Sequence, residues 1–346
     1  MALREESYSE DQYLVTHLVD RGQTGIRLDR FLKDRYRKRS REQIQRAIEE
    51  GAITVERLQG RHVSVGRLKP SSQLLEGDRV LVLSERKPEP EVDFNYKILY
   101  EDEGLFVIDK PSNLPVHPAG RYFFNTLLTH LKTHGFQDPL KAEREYFLAH
   151  RIDKETSGIL VLAKTREVCA DLTRQFADRQ TEKRYLAIAR GITPEQFRVD
   201  ACMRRHTKSI IELKMMTVPP EHEGAMNALT EFRRLEVRTN PHGTYSLVEC
   251  LPKTGRQHQI RVHLEHAGHA IIGDKLYGFP EEEALRFYER KHLTPEAQSR
   301  LVLHRHALHA AGIRFRHPLT GLMTEFESPL PQDLRAFLDT GQSQWG

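Results

Sequence analysis

The chain has 346 residues, 38% hydrophobic and 29% charged, with a formal net charge of +4, the balance of a globular protein of two or three domains with length enough to bury a full core. No apolar run approaches the about 18 residues that a membrane helix needs, and Met1-Ala2-Leu3-Arg4-Glu5-Glu6 lacks the apolar region of a secretion signal. Cys169, Cys202 and Cys250 are scattered, odd in number and without CxxC spacing, which argues for a reducing, cytoplasmic setting and against a disulfide scaffold or a zinc ribbon.

Residues 1 to about 24 carry no strong period and read as an N-terminal extension, a tail or an added strand. From Arg27, the spacing of Leu28, Phe31, Leu32 and Tyr36 predicts a helix with one apolar face. Ser40 stands three residues before Gln43, the spacing of a capping box, and Ile44, Ala47 and Ile48 give the second helix its apolar side. Gly51 is placed to end it. Strands are expected at Ala52–Val55 and, after Gly77-Asp78, at Arg79–Leu83. Between Arg27 and Glu50 nine Lys/Arg face five Asp/Glu, and Arg35, Arg37, Lys38, Arg39 and Arg41 crowd into seven positions. Such a cluster is a candidate phosphate-contacting surface, although a solvated helix end is the simpler account of so short a run taken alone. Arg86-Lys87-Pro88-Glu89-Pro90-Glu91 reads as a linker, so a compact unit over 25–84 and a connection over 85–96 are expected.

The larger remainder begins with a buried-strand run, Leu105–Ile108, and a proline-stiffened loop, Asn113–Pro118. Helices are expected at Thr126–Leu131 and Asp171–Gln180, and strands at Lys183–Ala189 and Tyr245–Leu251. Residues 193–245 mix charge with short apolar runs and resist assignment. Thr254–Leu264 reads as a polar turn opening a helix, with Ile260, His263, Leu264 and Ala267 on its packed side. A charged helix over Glu281–His292, strands at Leu308–Phe315 and Met323–Phe326, and a short end helix close the chain.

The densest chemistry lies in His150-Arg151-Ile152-Asp153-Lys154-Glu155-Thr156-Ser157-Gly158, followed by the apolar run Ile159–Ala163. A carboxylate, a guanidinium and an imidazole stand at the mouth of a buried strand, where reactive groups are well presented. An Asx-type turn before a strand explains the same residues, and on these nine alone the two readings stand level. Other chemistries find less support. Eighteen histidines invite a metal site, but HExxH is absent, and His258 and His263, five apart, suit one helical face poorly. GxxxxGK[ST], GxGxxG and GxSxG are absent as well. A lone aspartate can act as a nucleophile if a guanidinium keeps it ionised and aimed. Tyr185 could stack on a planar substrate, and a nucleobase worked on by such a site must be flipped out of its stack.

Taken together these residues resemble the RluA family of pseudouridine synthases. His150–Gly158 fits that family's His-Arg-Leu-Asp-x-x-Thr-Ser-Gly with Ile for Leu, Lys183-Arg184-Tyr185 fits Lys-x-Tyr, and Ala228-Leu229-Thr230 fits Ala-x-Thr. Thr254–His263 fits Thr-Gly-Arg-x-His-Gln-Ile-Arg-x-His, Gly273-Asp274 continues it, and Leu308-His309-Ala310 with His317-Pro318 fits the closing strand. Upstream, Arg27–Leu32, Ser40-Arg41, Ile48–Gly51 and Glu76–Val80 resemble an S4-type RNA-binding domain, except that Val55-Glu56-Arg57 stands where that family often has Val-Asn-Gly. The resemblance implies an α+β catalytic domain over 97–346, a long, bent, mostly antiparallel mixed sheet with flanking helices, preceded by a small α+β S4-like domain. It implies Asp153 as catalytic aspartate, Tyr185 stacking on the base and assisting proton removal, and Arg261 pairing with Asp153. Ile260 would pack beneath the pocket, Arg151 would fill the space left by the flipped base, and Arg256 and the basic cluster would contact RNA. It implies no metal or organic cofactor, a monomer, and an RNA substrate, ribosomal RNA being favoured over transfer RNA. The rival reading is a catalytically idle RNA-binding protein on the same fold, acting in ribosome assembly.

Overall fold

The computed structural model describes residues 4–8, 12–37, 39–59, 62–66, 68–85, 88–134, 145–289 and 292–344. The chain divides into two compact units, Met1–Pro88 and Glu89–Gly346. Lys38, expected to contact RNA, and Arg86-Lys87 of the expected linker lie outside the described residues.

The first unit runs β1 (Arg4–Tyr8), β2 (Gln12–Leu18), α1 (Leu28–Arg35), α2 (Arg41–Glu49), β3 (Ile53–Gln59), β4 (His62–Gly66) and β5 (Arg79–Glu85). Its five strands form one antiparallel sheet in the order β1-β2-β5-β3-β4. Leu28, Phe31 and Leu32 of α1 and Ile44 and Ile48 of α2 pack with Val15, Ile53, Val55, Val80 and Val82 of the sheet. The capping box forms: the Gln43 N–H donates to Ser40 Oγ at 3.1 Å, and the Ser40 N–H to Gln43 Oε1 at 2.8 Å. Of the two readings of the segment before residue 25, the added strand is the one the structure shows: β2 pairs along its length with β5 and sends Val15, 2% exposed, into the core.

The basic cluster is not uniform. Arg37 and Arg41 are exposed. Arg35 instead folds back, Nη1 donating to the Phe31 carbonyl at 3.1 Å and Cζ lying 3.5 Å from that ring's centroid. Arg39 reaches Ser84 Oγ at 3.3 Å and lies over Tyr36. Those two guanidiniums serve their own unit first.

The second unit begins inside the expected linker. The Glu89 carboxylate accepts the backbone N–H groups of Phe123, Phe124 and Asn125 at 2.8–3.0 Å, and Val92, Phe94 and Tyr96 pack against the cluster that holds Phe106, Ile108, Leu160 and Leu162. The elements are β6 (Lys97–Glu101), β7 (Leu105–Lys110), α3 (Leu127–His134), β8 (Phe147–Leu148), β9 (Ser157–Ala163), α4 (Arg166–Ala177), β10 (Glu182–Arg190), β11 (Gln196–Asp200), β12 (Met203–Arg205) and β13 (Met215–Thr217). There follow β14 (Leu229–Asn240), β15 (Gly243–Pro252), α5 (Gln259–His266), α6 (Glu281–Tyr288), α7 (Pro295–Leu301), β16 (Leu308–Arg316), β17 (Met323–Glu327) and α8 (Gln332–Thr340). The main sheet has the order β11-β14-β15-β10-β16-β9-β7-β6, with β17 on β16 and β8 on β9, and β12 pairs with β13 apart from it. Among the described strands one pairing is parallel, β9 with β16, and it sits at the middle of the sheet. Strand β9 is buried along its whole length, as a central strand covered on both faces must be.

Gly158 makes that parallel pairing possible. Its φ is +108°, and a Cβ there would lie 2.2 Å from the Ala310 carbonyl oxygen. No other residue type fits so close an approach with that backbone. Ser157 and Gly158, expected as turn residues, are thus the first residues of the strand.

A candidate active site on the central strands

Asp153 sits in the short loop that enters β9, and the fold grips this loop on every side. The Thr156 N–H closes the turn on the Asp153 carbonyl at 3.1 Å. Lys110, fully buried at the end of β7, donates to the carbonyls of Pro111, Leu114 and Lys154 at 2.8–3.1 Å. Thr156 Oγ1 lies 2.9 Å from His306 Nε2, and Ser157 Oγ lies 3.0 Å from His309 Nδ1 and 3.1 Å from Arg305 Nη1. The Val161 N–H donates to His150 Nε2 at 3.0 Å. His150, His306 and His309 are thereby engaged by backbone and hydroxyl partners. His263 follows suit, its Nδ1 2.9 Å from Thr230 Oγ1. Among the described residues no three His, Cys, Asp or Glu side chains form a group able to hold a metal.

Asp153 is met by α5. Arg261, 5% exposed, donates from Nη1 to Asp153 Oδ2 at 2.9 Å and clamps Asp274 with Nε and Nη2 at 2.7 and 2.9 Å. Asp274 also accepts the backbone N–H groups of Leu276 and Tyr277. Burial works to raise both carboxyls. For Asp274 the Arg261 charge and hydrogen bonds outweigh it, and for Asp153 the positive charge of His258, Arg261 and Arg151 does so, which leaves both below the usual carboxylate range. His258 is itself pushed down to about 4 by burial, so at neutral pH the standing positive charge facing Asp153 is that of Arg261 and Arg151. The guanidinium is bidentate to one acid and single to the other, a division that a planar fork of five donors allows.

Tyr185 enters from β10. The strand pairs with β15 and β16, and its register with β16 shifts between Arg184 and Tyr185, a bulge of the kind that re-aims a side chain. Burial first, and the Asp153 charge second, raise its phenol well above the ordinary value, so it stays protonated while Asp153 is a free carboxylate. The cleft where these groups meet has a volume of about 110 Å³ and is lined by Arg151, Asp153, Tyr185, His258, Ile260 and Arg261 among others. Ile260 is 5% exposed and forms part of its floor. Arg151 is exposed at its edge, with Nη1 donating to His117 Nε2 at 3.0 Å.

A second groove of about 380 Å³ shares Arg151, Lys183, Tyr185 and Arg256 with this cleft and adds Arg179 and Lys253. Its lining holds five cations and no carboxylate. Burial alone draws the Lys183 ammonium below its usual range. Arg256 is exposed, its Nε donating to the Asn227 carbonyl at 3.1 Å.

Asp153, Tyr185, Arg261, Ile260, Arg151 and Arg256 all converge, as expected. The sequence did not single out His258, Tyr277, Asp274, Arg179, Lys183 or Lys253 as site residues. Asp274 had a signal: an arginine buried beside one carboxylate calls for a second acceptor, and Gly273-Asp274 follows twelve residues later. His258 occupies a fixed position of the Thr254–His263 motif, but its aim could not be read there, because it depends on a left-handed backbone, φ 58°, at the head of α5.

Comparison with known proteins follows the same lines. Residues 104–266 match the family model described as RNA pseudouridylate synthase. An RNA pseudouridine synthase of Chlorobaculum parvum is 35% identical over 328 residues, 93% of this chain and 95% of that protein. The ribosomal large subunit pseudouridine synthase D of Zymomonas mobilis is 34% identical over 313 residues, 90% of this chain and 92% of the other. Among solved structures, human RNA pseudouridylate synthase domain containing 1 superposes with a TM-score of 0.53 at 25% identity, covering 70% of this chain and 86% of that one. Human RNA pseudouridylate synthase domain containing 4 gives 0.52 at 27% identity over 69% of this chain and 90% of its own.

Proposed function

The chain belongs to the RluA family of RNA pseudouridine synthases, and from that premise we propose that it isomerises a uridine of ribosomal RNA with Asp153 as nucleophile. The observation that carries this reading is the Asp153 carboxylate: ionised, held on one oxygen by Arg261, and turned into a cleft walled by Tyr185. A uridine flipped into the cleft would place its base against the Tyr185 ring. Attack by Asp153 on C1′ forms an ester as the bond from C1′ to N1 breaks, the freed base turns, and C5 attacks C1′ and releases the Asp153 carboxylate. The C5 proton then leaves and N1 gains one, so no atom is added or lost and the chemistry calls for no redox partner. Burial first and the Asp153 charge second keep the Tyr185 phenol protonated, so Tyr185 can take the C5 proton only by passing its own proton on, as to the N1 that must gain one.

Arg151, Arg179, Lys183, Lys253 and Arg256 offer the flanking nucleotides a cationic track that leads to the cleft. The first unit, with Arg37 and Arg41 exposed, serves as an S4-like second handhold on RNA. Ribosomal RNA is preferred over transfer RNA because relatives such as the Zymomonas protein are named for the large ribosomal subunit. The protein acts as a cytoplasmic monomer; among its described residues no helix is long and apolar enough to cross a membrane. A transcriptome-wide pseudouridine map with and without the gene tests the reading. Loss of one or a few ribosomal sites is the expected result. Loss of a transfer RNA site would move the target, and an unchanged map, with the purified protein inert on ribosomal RNA, would refute the enzyme assignment.

A further inference from the structure

We infer that His258 is a positioning residue for Asp153: a neutral imidazole, its proton held on Nε2 by Tyr277, that supplies a second hydrogen-bond donor to the carboxylate on the oxygen Arg261 leaves free. The inference rests on Asp153 being the nucleophile. Its starting point is a buried hydroxyl. Tyr277 is 1% exposed, and its oxygen accepts the Met215 N–H at 3.0 Å. The hydroxyl hydrogen still needs an acceptor, because a buried donor left without one is costly. The structure puts His258 Nδ1 2.8 Å away. A ring nitrogen that accepts carries no hydrogen, so in the neutral ring the proton resides on Nε2.

That Nε2–H faces the reacting group. His258 lines the cleft, and its Nε2 lies 3.9 Å from Asp153 Oδ1. The other oxygen, Oδ2, is the one that Arg261 holds at 2.9 Å. A shift of about 1 Å would bring the second donor to hydrogen-bond distance, as a substrate closing on the cleft can do. The backbone is arranged for this aim. His258 precedes α5 in the left-handed region, φ 58°, and its side chain caps no helical N–H, a conformation that a non-glycine residue keeps only when something else demands it. Both donors to Asp153 trace back to one buried acid. Asp274 clamps the Arg261 guanidinium and accepts the Tyr277 backbone N–H at 3.1 Å, while the Arg261 Cζ lies 5.0 Å from the Tyr277 ring centroid. The charged and titratable groups facing the ring are Asp153 and Arg151 before β9, Arg261 on α5, Asp274 and Tyr277 after it, and His306 before β16. Burial pushes the imidazole down to about 4, so near neutrality it donates without adding charge.

The test compares H258A, H258Q and Y277F with wild type in a pseudouridine assay, with thermal midpoints recorded to separate loss of fold. H258A and H258Q carry the same left-handed backbone cost, so their difference reports the donor alone. Removing a hydrogen bond to a charged group predicts a kcat loss of about 10- to 100-fold in H258A with KM little changed, and H258Q, whose amide N–H reaches a similar position, recovers most of it. The acid limb of kcat shifts to higher pH in H258A, because a carboxylate that loses a donor protonates more readily. Nitrogen-15 spectra of the substrate-free protein should show an Nε2-protonated ring at neutral pH and a mixed tautomer in Y277F. Wild-type kcat and acid limb in H258A, or H258Q no better than H258A, would overturn the positioning role; an Nδ1-protonated ring would overturn the hydrogen-bond chain. If wild type itself forms no pseudouridine, the catalytic reading and the positioning role fall together, while the spectrum still decides the hydrogen-bond chain.

Discussion

Asp153 and Glu155 stand two residues apart in the same loop, and each carboxylate meets a buried cation. Their surroundings differ in one respect. Both oxygens of Glu155 accept from Lys275 Nζ at 2.9 Å, and Oε2 also takes the His306 N–H at 3.2 Å. Lys275, 3% exposed, donates further to the His304 carbonyl. Among the described residues Asp153 has a firm bond on Oδ2 only, and its side chain remains 24% exposed toward the cleft. The lesson is that reactivity follows the oxygen left unsatisfied, whereas a carboxylate with all its acceptors engaged is a rivet. Charge alone would not separate the two.

Replacing the two acids should break them in opposite ways. Asp153→Asn should lower pseudouridine formation by on the order of 10⁴-fold or more, read as tritium release from RNA labelled at uracil C5. Its fold should hold, because Arg261 keeps both oxygens of Asp274. Arg261→Lys comes next. A lysine cannot serve two carboxylates with a planar fork, so turnover should fall by about 10²- to 10³-fold, and urea unfolding should show about 3 kcal/mol less stability as Asp274 loses its clamp. Glu155→Gln should cost a similar stability, about 3 kcal/mol, by leaving Lys275 buried without its counter-charge, yet turnover per folded molecule should stay at the wild-type level. A folded E155Q protein with crippled turnover would erase the distinction between the two acids. The smallest effect is expected for Thr156→Val, which keeps the shape but strips the hydroxyl from His306; about 1 kcal/mol should be lost in urea unfolding, with activity retained.

Much of this site was legible because its chemistry sits in continuous motifs. Asp153 with Arg151, Tyr185 in its strand, and the Arg256–Arg261 segment could each be singled out, and the buried run Ile159–Ala163 marked the strand that anchors them. The partners that tune those residues were harder to see. Tyr277 acts on Asp153 through a histidine whose left-handed backbone has no composition signal, and Lys183 and Arg179 join one groove only because α4 ends beside β10. The unreadable stretch 193–245 folds as β11 to β14. Two of these strands are three residues long, and β14 carries a register shift between Arg234 and Glu236 that breaks any period-two pattern. In the first unit both helices were plain from their spacing, and α2 from its capping box as well. The place of β2 was not, since only its pairing with β5 shows that it belongs to the core.

The parallel pairing of β9 with β16 also sets a timetable. Thr156 meets His306 across 150 residues of chain, and Ser157 meets His309 across 152. Contacts so distant in sequence form late, after the local hairpins such as β14 with β15. During synthesis the loop bearing Asp153 therefore leaves the ribosome well before the strand against which Gly158 must lie. Until β16 arrives, the loop lacks its lateral support and the aspartate its fixed aim. The site can be complete only once β16 has been made and has paired with β9.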